Sequence, residues 1–477
     1  MARINTNVAS LAAQRGLSQS QKMMDETLQR LSSGLQINRG ADDPAGLIAS
    51  ETLRSEMSGI SQAMENSQRA SNVISTAEGS LSEVANLLTS IKNLIVEAAN
   101  TGAISPDEIA ANQLQIDSAV ESITRISNTT NFAGLKLLDG GLDYLTSGVD
   151  QGVITSLQIN QANYGQQPTM PVKIEVVTSA QKAQLFFTQS AVTGGKVTLE
   201  VNGVEGVDVL NFVSGTTASS IAFSVNRLTE NTGVSARLIN SANATSGIVF
   251  ESAGYGSREY VSINAQSGSF LTSDVSGAST KRDTGRDAVA TVNGATTVGD
   301  GLNLTANTSV LDLDMTLAEG FGIGQTEFTV TGGGAVFQLG PKITSNQQVN
   351  IGLTSIRASN LGDFGTGFLT DIVTGGSKSL VSGQQSAAAN VLEKAIRQVA
   401  VLRGRLGAFE KNTLETNVNS LSIALENVTA SESQIRDADF AVETAKLTRS
   451  QILTQAGTSV LAQANSTPQL VLSLLQG

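Results

Sequence analysis

Residues Ile74 to Ala98 read ISTAEGSLSEVANLLTSIKNLIVEA, and Ile74, Ala77, Leu81, Val84, Leu88, Ile91, Ile95 and Ala98 recur at alternating steps of three and four. That spacing is a heptad seam, a stripe so narrow that only partner helices can cover it. Upstream, Met24, Leu28, Leu31 and Leu35 keep the same rhythm. Between the two runs lies Asn38-Arg39-Gly40-Ala41-Asp42-Asp43-Pro44-Ala45-Gly46, where one Pro and two Gly residues interrupt the helical pattern. The sequence therefore predicts helices over about 5 to 36 and 45 to 99, with Asp42, Asp43, Pro44 and Gly46 in the loop between them.

Working outward, Ser105-Pro106-Asp107-Glu108 opens a third helix: an N-cap Ser, Pro at the first helical position and Glu three residues after the cap. Its seam is Ile109, Ile116, Ala119, Ile123 and Ile126. The far end mirrors the near one, through Leu392, Ile396, Val399, Leu402, Leu406 and Phe409, then Leu414, Val418, Leu421, Leu425 and Val428. A last run, Ile435, Ala438, Val442, Ala445, Ile452 and Ala456, reaches nearly to the C-terminus. A helix of ~45 residues spans ~68 Å, longer than an ordinary domain needs, so part of each seam is expected to meet other subunits or the opposite terminus. Met24, Leu28, Leu31, Leu35, Ile435, Val442, Ile452 and Ala456 are the candidate packing residues.

The middle has another grammar. Prolines bracket it: Pro168 and Pro171 close the first arm, Pro341 opens the return, and none lies between 171 and 341. Lys196 to Gly203, Val289 to Gly294 and Phe328 to Val330 alternate polar and apolar, as strands do. Asn202-Gly203 and Asn293-Gly294 suit tight hairpins. One helix interrupts, with Thr216 or Thr217 as cap, Ile221, Val225 and Leu228 on one face and Asn231-Thr232-Gly233 as its stop. Nine of the fourteen Phe residues fall here, which predicts a separate β-rich core. Asn264 to Asp287 is polar and is expected to be a solvent-exposed linker between two lobes. The fold class is thus α+β multidomain: long antiparallel coiled-coil helical arms from both termini, with an inserted β-rich outer domain.

Composition removes much chemistry. Among 477 residues there is no Cys, no His and no Trp, and only 4% are aromatic, so cores must be built from Leu, Ile, Val and Ala. Without His there is no Ser-His-Asp triad, no HExxH protease and no ordinary zinc site; without Cys there is no disulfide or thiolate. No cofactor or metal is called for. Thirty basic residues against 42 acidic give a net charge of −12, with no Lys/Arg cluster to follow a phosphate backbone, so nucleic acid is not an expected partner. No stretch approaches the ~20 apolar residues of a membrane span, and MARINTNVAS lacks the charged-then-apolar run of a cleavable signal. A soluble chain outside the general secretory route is expected.

Both arms resemble bacterial flagellins. MARINTNVASL at Met1 to Leu11 and LSSGLQINRGADDPAGLIAS at Leu31 to Ser50 look like the family's amino-terminal motifs. SNTTNFAGLKLL at Ser127 to Leu138 resembles its turn after the third helix, and SQIRDADFAVETAKLTRSQILTQAGTSVLAQAN at Ser433 to Asn465 is similar to its terminal segment. The likeness covers roughly 1 to 165 and 335 to 477. The middle is more loosely similar to flagellin inserts, and Lys196 to Leu238 to a repeat shared with hook-associated proteins. The resemblance implies a non-enzymatic subunit of the helical filament used for swimming motility, secreted to the extracellular flagellum. Residues 1–44 and 432–477 would form an inner tube, 45–171 and 341–431 an outer one, and 172–340 a surface insert, in two lobes or one.

It also implies partners: copies of the chain itself, flagellar junction and cap proteins, the export apparatus with an export chaperone, and an innate immune receptor of the Toll-like class. For that receptor Leu94 and Glu121 match the family's contact patch, with Lys92, Ile95 and Val96 beside them, while Ser90 stands where an Arg is expected. Three alternatives remain. A hook-filament junction protein shares the helical ends but departs across the C-terminal arm; a non-flagellar adhesin with a helical stalk would carry a conventional export signal; a flagellin with a metalloprotease insert would carry histidines.

Overall fold

The computed structural model describes residues 6–165, 167–243 and 245–475, and the side chains of that stretch up to Thr467. The first five residues of the MARINTNVASL motif and the last two of the 432–477 segment lie outside the described residues. Helices α1 (Val8–Ser33), α2 (Pro44–Ala98) and α3 (Pro106–Thr129) come first. Asn7 starts α1 by accepting from the Ser10 N–H at 3.0 Å, and Gly34 ends it with a left-handed φ of 73°. The capping box of α3 forms as its sequence predicts: the Ser105 N–H donates to Glu108 Oε2 at 2.7 Å and the Glu108 N–H to Ser105 Oγ at 3.3 Å.

The insert carries α4 (Ala218–Asn226) and the single turn α5 (Thr229–Thr232). The return arm is α6 (Gln385–Phe409), a wide π-helical turn over Glu410–Glu415, α7 (Thr416–Arg436) and α8 (Phe440–Leu475). No described helix is long and apolar enough to cross a membrane.

The chain divides into two compact units, one holding the residues up to Arg69, Gln338–Ile343 and those from Lys411 onward, the other Ala70–Phe337 and Thr344–Glu410. In the second unit all eight apolar residues of the 74–98 seam are buried. The stripe of α3 turns differently from its expected face: Ile116 and Ile123 are buried, but Asn112, Gln113, Val120 and Ser127 complete it while Ile109, Ala119 and Ile126 stay half-buried. Gln113 explains part of this, since its amide donates to the Ile372 carbonyl at 2.9 Å and accepts from the Leu380 N–H at 2.8 Å.

The β-rich insert has two hydrophobic cores. One lies between a five-stranded sheet, in the order 295–296, 289–292, 170–178, 324–333, 144–147, and a four-stranded sheet, in the order 298–300, 303–307, 311–317, 154–162. Val172, Ile174, Leu313, Met315, Phe328 and Val330 fill it. The other core, from Ala183 to Phe270, collects Phe187, Leu199, Ile221, Val225 and Phe250, with Phe187 stacked on Phe270 at 3.9 Å between centroids. Arg405 of α6 reaches Asn160 and Asp314 and ties the first core's sheet to the helical arm.

Three expectations need correction. The β-rich part starts at Tyr144, not 172, and Pro171 lies inside strand Met170–Thr178. Pro171 is tolerated there because the neighbouring strand 289–292 pairs only from Ile174 on, leaving the missing N–H no ladder partner to lose. Asn264 to Asp287 is not a linker: it holds the end of strand Tyr260–Ser267, the strand Arg282–Thr284 and the buried Phe270. Asn293-Gly294 makes the tight hairpin, both residues at positive φ of 49° and 85°, whereas Asn202-Gly203 opens a longer loop closed by Gly203 N–H to Gly206 O at 3.0 Å.

Thr178 and Val289 are partners on adjacent antiparallel strands, so the second core leaves and re-enters the first at one point. Replacing residues 180–287 by Asn-Gly should therefore close a hairpin and leave the first core folded. Retention of the α-helical circular dichroism and of one cooperative β transition is the expected outcome; loss of both would mean the two cores fold only together.

Candidate functional site: the paired terminal helices

The first unit contains the residues on which assembly was expected to rest. α1 and α8 run antiparallel: Asn7 Nδ2 donates to the Ala464 carbonyl at 2.8 Å, Ser10 Oγ to Asn465 Oδ1 at 2.7 Å, and Arg30 Nη1 lies 3.6 Å from Glu443 Oε1. The covered face of α1 is Ser10, Ala13, Leu17, Ser20, Met24, Thr27 and Leu31; that of α8 is Glu443, Leu447, Ser450, Thr454, Gly457, Leu461 and Ala464. Both follow steps of three and four, as a coiled-coil seam does. Just over half of these residues are small, and a Cβ at Gly457 would sit in ordinary contact with Leu17, 3.6 Å from its Cα.

The apolar stripe read from the sequence is only partly this seam. Met24 and Leu31 belong to it, and Leu35 and Ile435 are half-buried beyond its end. Leu28, Val442 and Ile452 are 46%, 47% and 61% exposed, and Ala456 is exposed too. Ile452 therefore does not meet α1 within one chain. The physical reason is a choice of face: small residues alternate with Leu17, Met24, Leu31, Leu447 and Leu461 on the paired side, and the remaining large aliphatics are left pointing outward. Sequence reading missed Ser10, Ser20, Thr27, Glu443, Ser450, Gly457 and Ala464 because it followed hydrophobicity; the signal that could have found them is a heptad of small residues.

Both arms break at the same level. Leu35 bridges Asp437, with the Gln36 N–H donating to the Arg436 carbonyl at 2.7 Å and the Ala438 N–H to the Gly34 carbonyl at 2.9 Å. Each break is held by two aspartates. Asp42 Oδ2 accepts the Arg39 and Asn38 N–H groups at 2.8 and 3.0 Å, and Asp43 Oδ1 accepts the Gly46 N–H at 2.9 Å at the start of α2. On the other arm Asp437 Oδ2 accepts Ser433 Oγ at 2.6 Å, while Asp439 Oδ1 accepts the Ala441 and Val442 N–H groups at 2.8 and 3.2 Å at the start of α8. Pro44 supplies the first helical residue of α2, where its missing N–H costs nothing. Arg436 ties the return arm to α2 through Glu51 at 2.9 Å.

The receptor-patch residues lie elsewhere, on α2 and α3. Leu94 is half-buried, Glu121 and Val96 are exposed, Ile95 is buried within the seam and so unavailable to a receptor, and Lys92 faces Glu393 at 3.5 Å. Ser90 donates to the Asn86 carbonyl. Among the described residues no group of His, Cys, Asp and Glu could hold a metal ion.

Two family models match the arms: the bacterial flagellin N-terminal helical region over residues 4–142 and the C-terminal helical region over 389–475. B-type flagellin of Pseudomonas aeruginosa is 30% identical, with 99% of each chain covered. The chain belongs to the bacterial flagellin family. Polar flagellin F of Vibrio parahaemolyticus is also 30% identical, again with 99% of each chain covered. Among solved structures, hook-associated protein-3 of Legionella pneumophila has 12% identity and a TM-score of 0.32, covering 81% of this chain and 98% of that one. As a flagellin-family member, the chain is a structural subunit of the flagellar filament, an extracellular component of the motility organelle that assembles from copies of itself.

Gly46 is the tightest point of the break, since a Cβ there would lie 2.5 Å from Asp43 Oδ2 and 2.7 Å from Ile37 Cδ1. Gly46→Ala should destabilise the helical arms by about 1–3 kcal/mol through overpacking. Gly79→Ala, where a Cβ meets nothing within 4 Å, should instead stabilise α2 by about 0.5–1 kcal/mol. Urea midpoints at 222 nm would compare them. The pH response has a sign: the Arg39 N–H first, then the Asn38 N–H, hold the Asp42 carboxyl below its ordinary value. Its contribution is then present above the ordinary carboxylate range and lost as pH falls through the lowered value. Hydrogen exchange of the 34–46 segment, corrected for intrinsic rates, should rise on acidification in that window, and Asp42→Asn should remove the response.

Proposed function

We propose that the outward aliphatics of α1 and α8 are the surface through which one subunit packs on the next. Leu28, Phe440, Val442, Ile452, Leu453 and Val460 are exposed on helices whose other face is already covered, and this observation carries the reading. Monomeric soluble proteins rarely leave so many large aliphatics on one helix pair uncovered. A contact of this kind repeated head to tail without closing generates an open helical polymer.

On this reading residues 1–44 and 432–477 make the inner tube, the arms beyond them the outer tube, and the β-rich insert the filament surface, with its boundary at Tyr144. The breaks at 34–43 and 437–439 are where the chain passes from one tube to the other. Leaving the cell unfolded through the flagellar export apparatus, escorted by a chaperone, suits a chain with no disulfide to form. Junction and cap proteins bound the polymer at its two ends. The chain works without catalysis. Contact with a Toll-like receptor through Leu94 and Glu121 would be weak, because Ser90 offers a hydroxyl already engaged by its own helix in place of a guanidinium.

Seeding purified chain with filament fragments and viewing it by electron microscopy tests the proposal. Ile452→Asp puts a carboxylate where neighbouring subunits would bury it, at a cost of several kcal/mol in every subunit. Leu210→Asp, which strikes the second core of the insert, is the control. Loss of pelletable filament for Ile452→Asp alone is expected; normal polymerisation of that variant while Leu210→Asp fails would sink the reading. Trypsin should also clip both termini of the free monomer quickly and spare them in the filament, and equal protection in both states would count against it.

A further inference from the structure

Glu443 is the one charged residue among those described that is buried, 3% exposed, and it lies on the covered face of α8, beside Arg30 of α1. Its Oε1 meets Lys446 Nζ at 2.6 Å and Arg30 Nη1 at 3.6 Å, while Oε2 is buried with no hydrogen-bond partner. Lys446 belongs to the same helix and moves with Glu443, so Arg30 is the partner that distinguishes one alignment from another. A buried acid with an unpaired oxygen is costly for packing alone.

We propose that Glu443 is a specificity-determining residue within the helical run of the terminal pairing, holding the register of α8 on α1 through Arg30 between the contacts at its two ends; this rests on the reading of the paired ends as the polymerising element. The contacts of Asn7 and Ser10 at one end and of Gln36 and Ala438 at the other also fix the alignment, but the packing layers between them repeat. Gly457 packs on Leu17; Ser450, Gly457 and Ala464 stand one heptad apart on α8, as Leu17 and Met24 do on α1, so a slip of seven residues again sets a small residue against a large one. The same slip carries Glu443 ~10 Å along α1 at ~1.5 Å per residue. One direction leaves its carboxylate beside Met24, the other past the end of α1 at Gly34, and in either case Arg30 is lost. One polar residue that specifies alignment at a cost in stability is a known device of coiled coils.

The chain has no Cys, so introduced pairs report without background. A Cβ at 457 lies 3.6 Å from Leu17 Cβ, within the disulfide range of ~3.5–4.5 Å, so Leu17→Cys with Gly457→Cys reads the native register. Leu17→Cys with Ser450→Cys, or with Ala464→Cys, reads slips of one heptad either way. Seeded filaments of the full chain are oxidised and intrachain links scored on non-reducing gels, in the native background, in Glu443→Leu, in Glu443→Gln, and in the swap Arg30→Glu with Glu443→Arg. The native pair should link at least tenfold faster than the slipped pairs in the native background, lose several-fold of that preference in the Leu and Gln backgrounds, and regain it in the swap. Unchanged preference in both single variants overturns the proposal, as does failure of both to polymerise, because the role assigned is choice of register and not pairing itself. Absence of the 17–457 link in native-background filaments would instead sink the paired-end reading and the register proposal with it.

Discussion

The pairing of α1 with α8 is the constraint on which the molecule depends. Asn7 and Ala464 are joined by a hydrogen bond across 457 residues of chain. Bringing the ends of so long a segment together costs entropy, but that cost grows only logarithmically, about 0.6 kcal/mol per doubling of length. The intervening insert can therefore lengthen or shorten almost freely once the arms are in place, and a β-rich domain with two cores of its own can be accommodated without weakening the junction in proportion to its size.

Pairing of this length requires the two arms to stay in step, and the breaks show how that is arranged. A helix cannot simply stop inside a bundle, because four N–H and four C=O groups are left over at each end. Here both arms stop at one level and lend each other backbone hydrogen bonds through Gln36 and Ala438, while Asp43 and Asp439 take up N–H groups of the helices that follow. The twin aspartates of Asp42-Asp43-Pro44 and Asp437-Ala438-Asp439 thus do the same two tasks on opposite strands: one ties the loop, the other caps the next helix.

Much of the fold was legible because it follows periodicities the sequence cannot disguise. The 74–98 seam, the Ser105 capping box, the Thr217 cap and the alternating strands are each local rules obeyed, whereas the one helix expected from Thr217 to Gly233 is broken into α4 and α5 at Arg227–Leu228. What was missed has physical causes. The step of five from Phe409 to Leu414, against threes and fours elsewhere, marks the wide turn at Glu410–Glu415: one extra residue is absorbed by widening the helix, and the seam resumes in phase. Pro171 looked like a boundary because proline usually ends a strand, yet an unpaired flank tolerates it. Phe270 hid in a polar run because one aromatic ring, stacked on Phe187, with the buried Thr272 beside it, is enough to anchor a segment of mostly polar composition.

The terminal seam was the part least open to sequence reading, and the reason bears on what the chain does. A stripe of large aliphatics is usually read as the inner face of a helix, but α8 turns Ser450, Thr454 and Gly457 inward with Leu447 and Leu461, and leaves Val442, Ile452 and Val460 outward. An inner face that mixes small residues with Leu17, Met24, Leu31, Leu447 and Leu461 uses only part of the apolar surface of the two helices. The outer face holds the rest, and that area is recovered only when another surface covers it. Stability of the ends is thereby tied to neighbours and not to the single chain, which is the arrangement a subunit needs if its termini are to order on joining a polymer and not before.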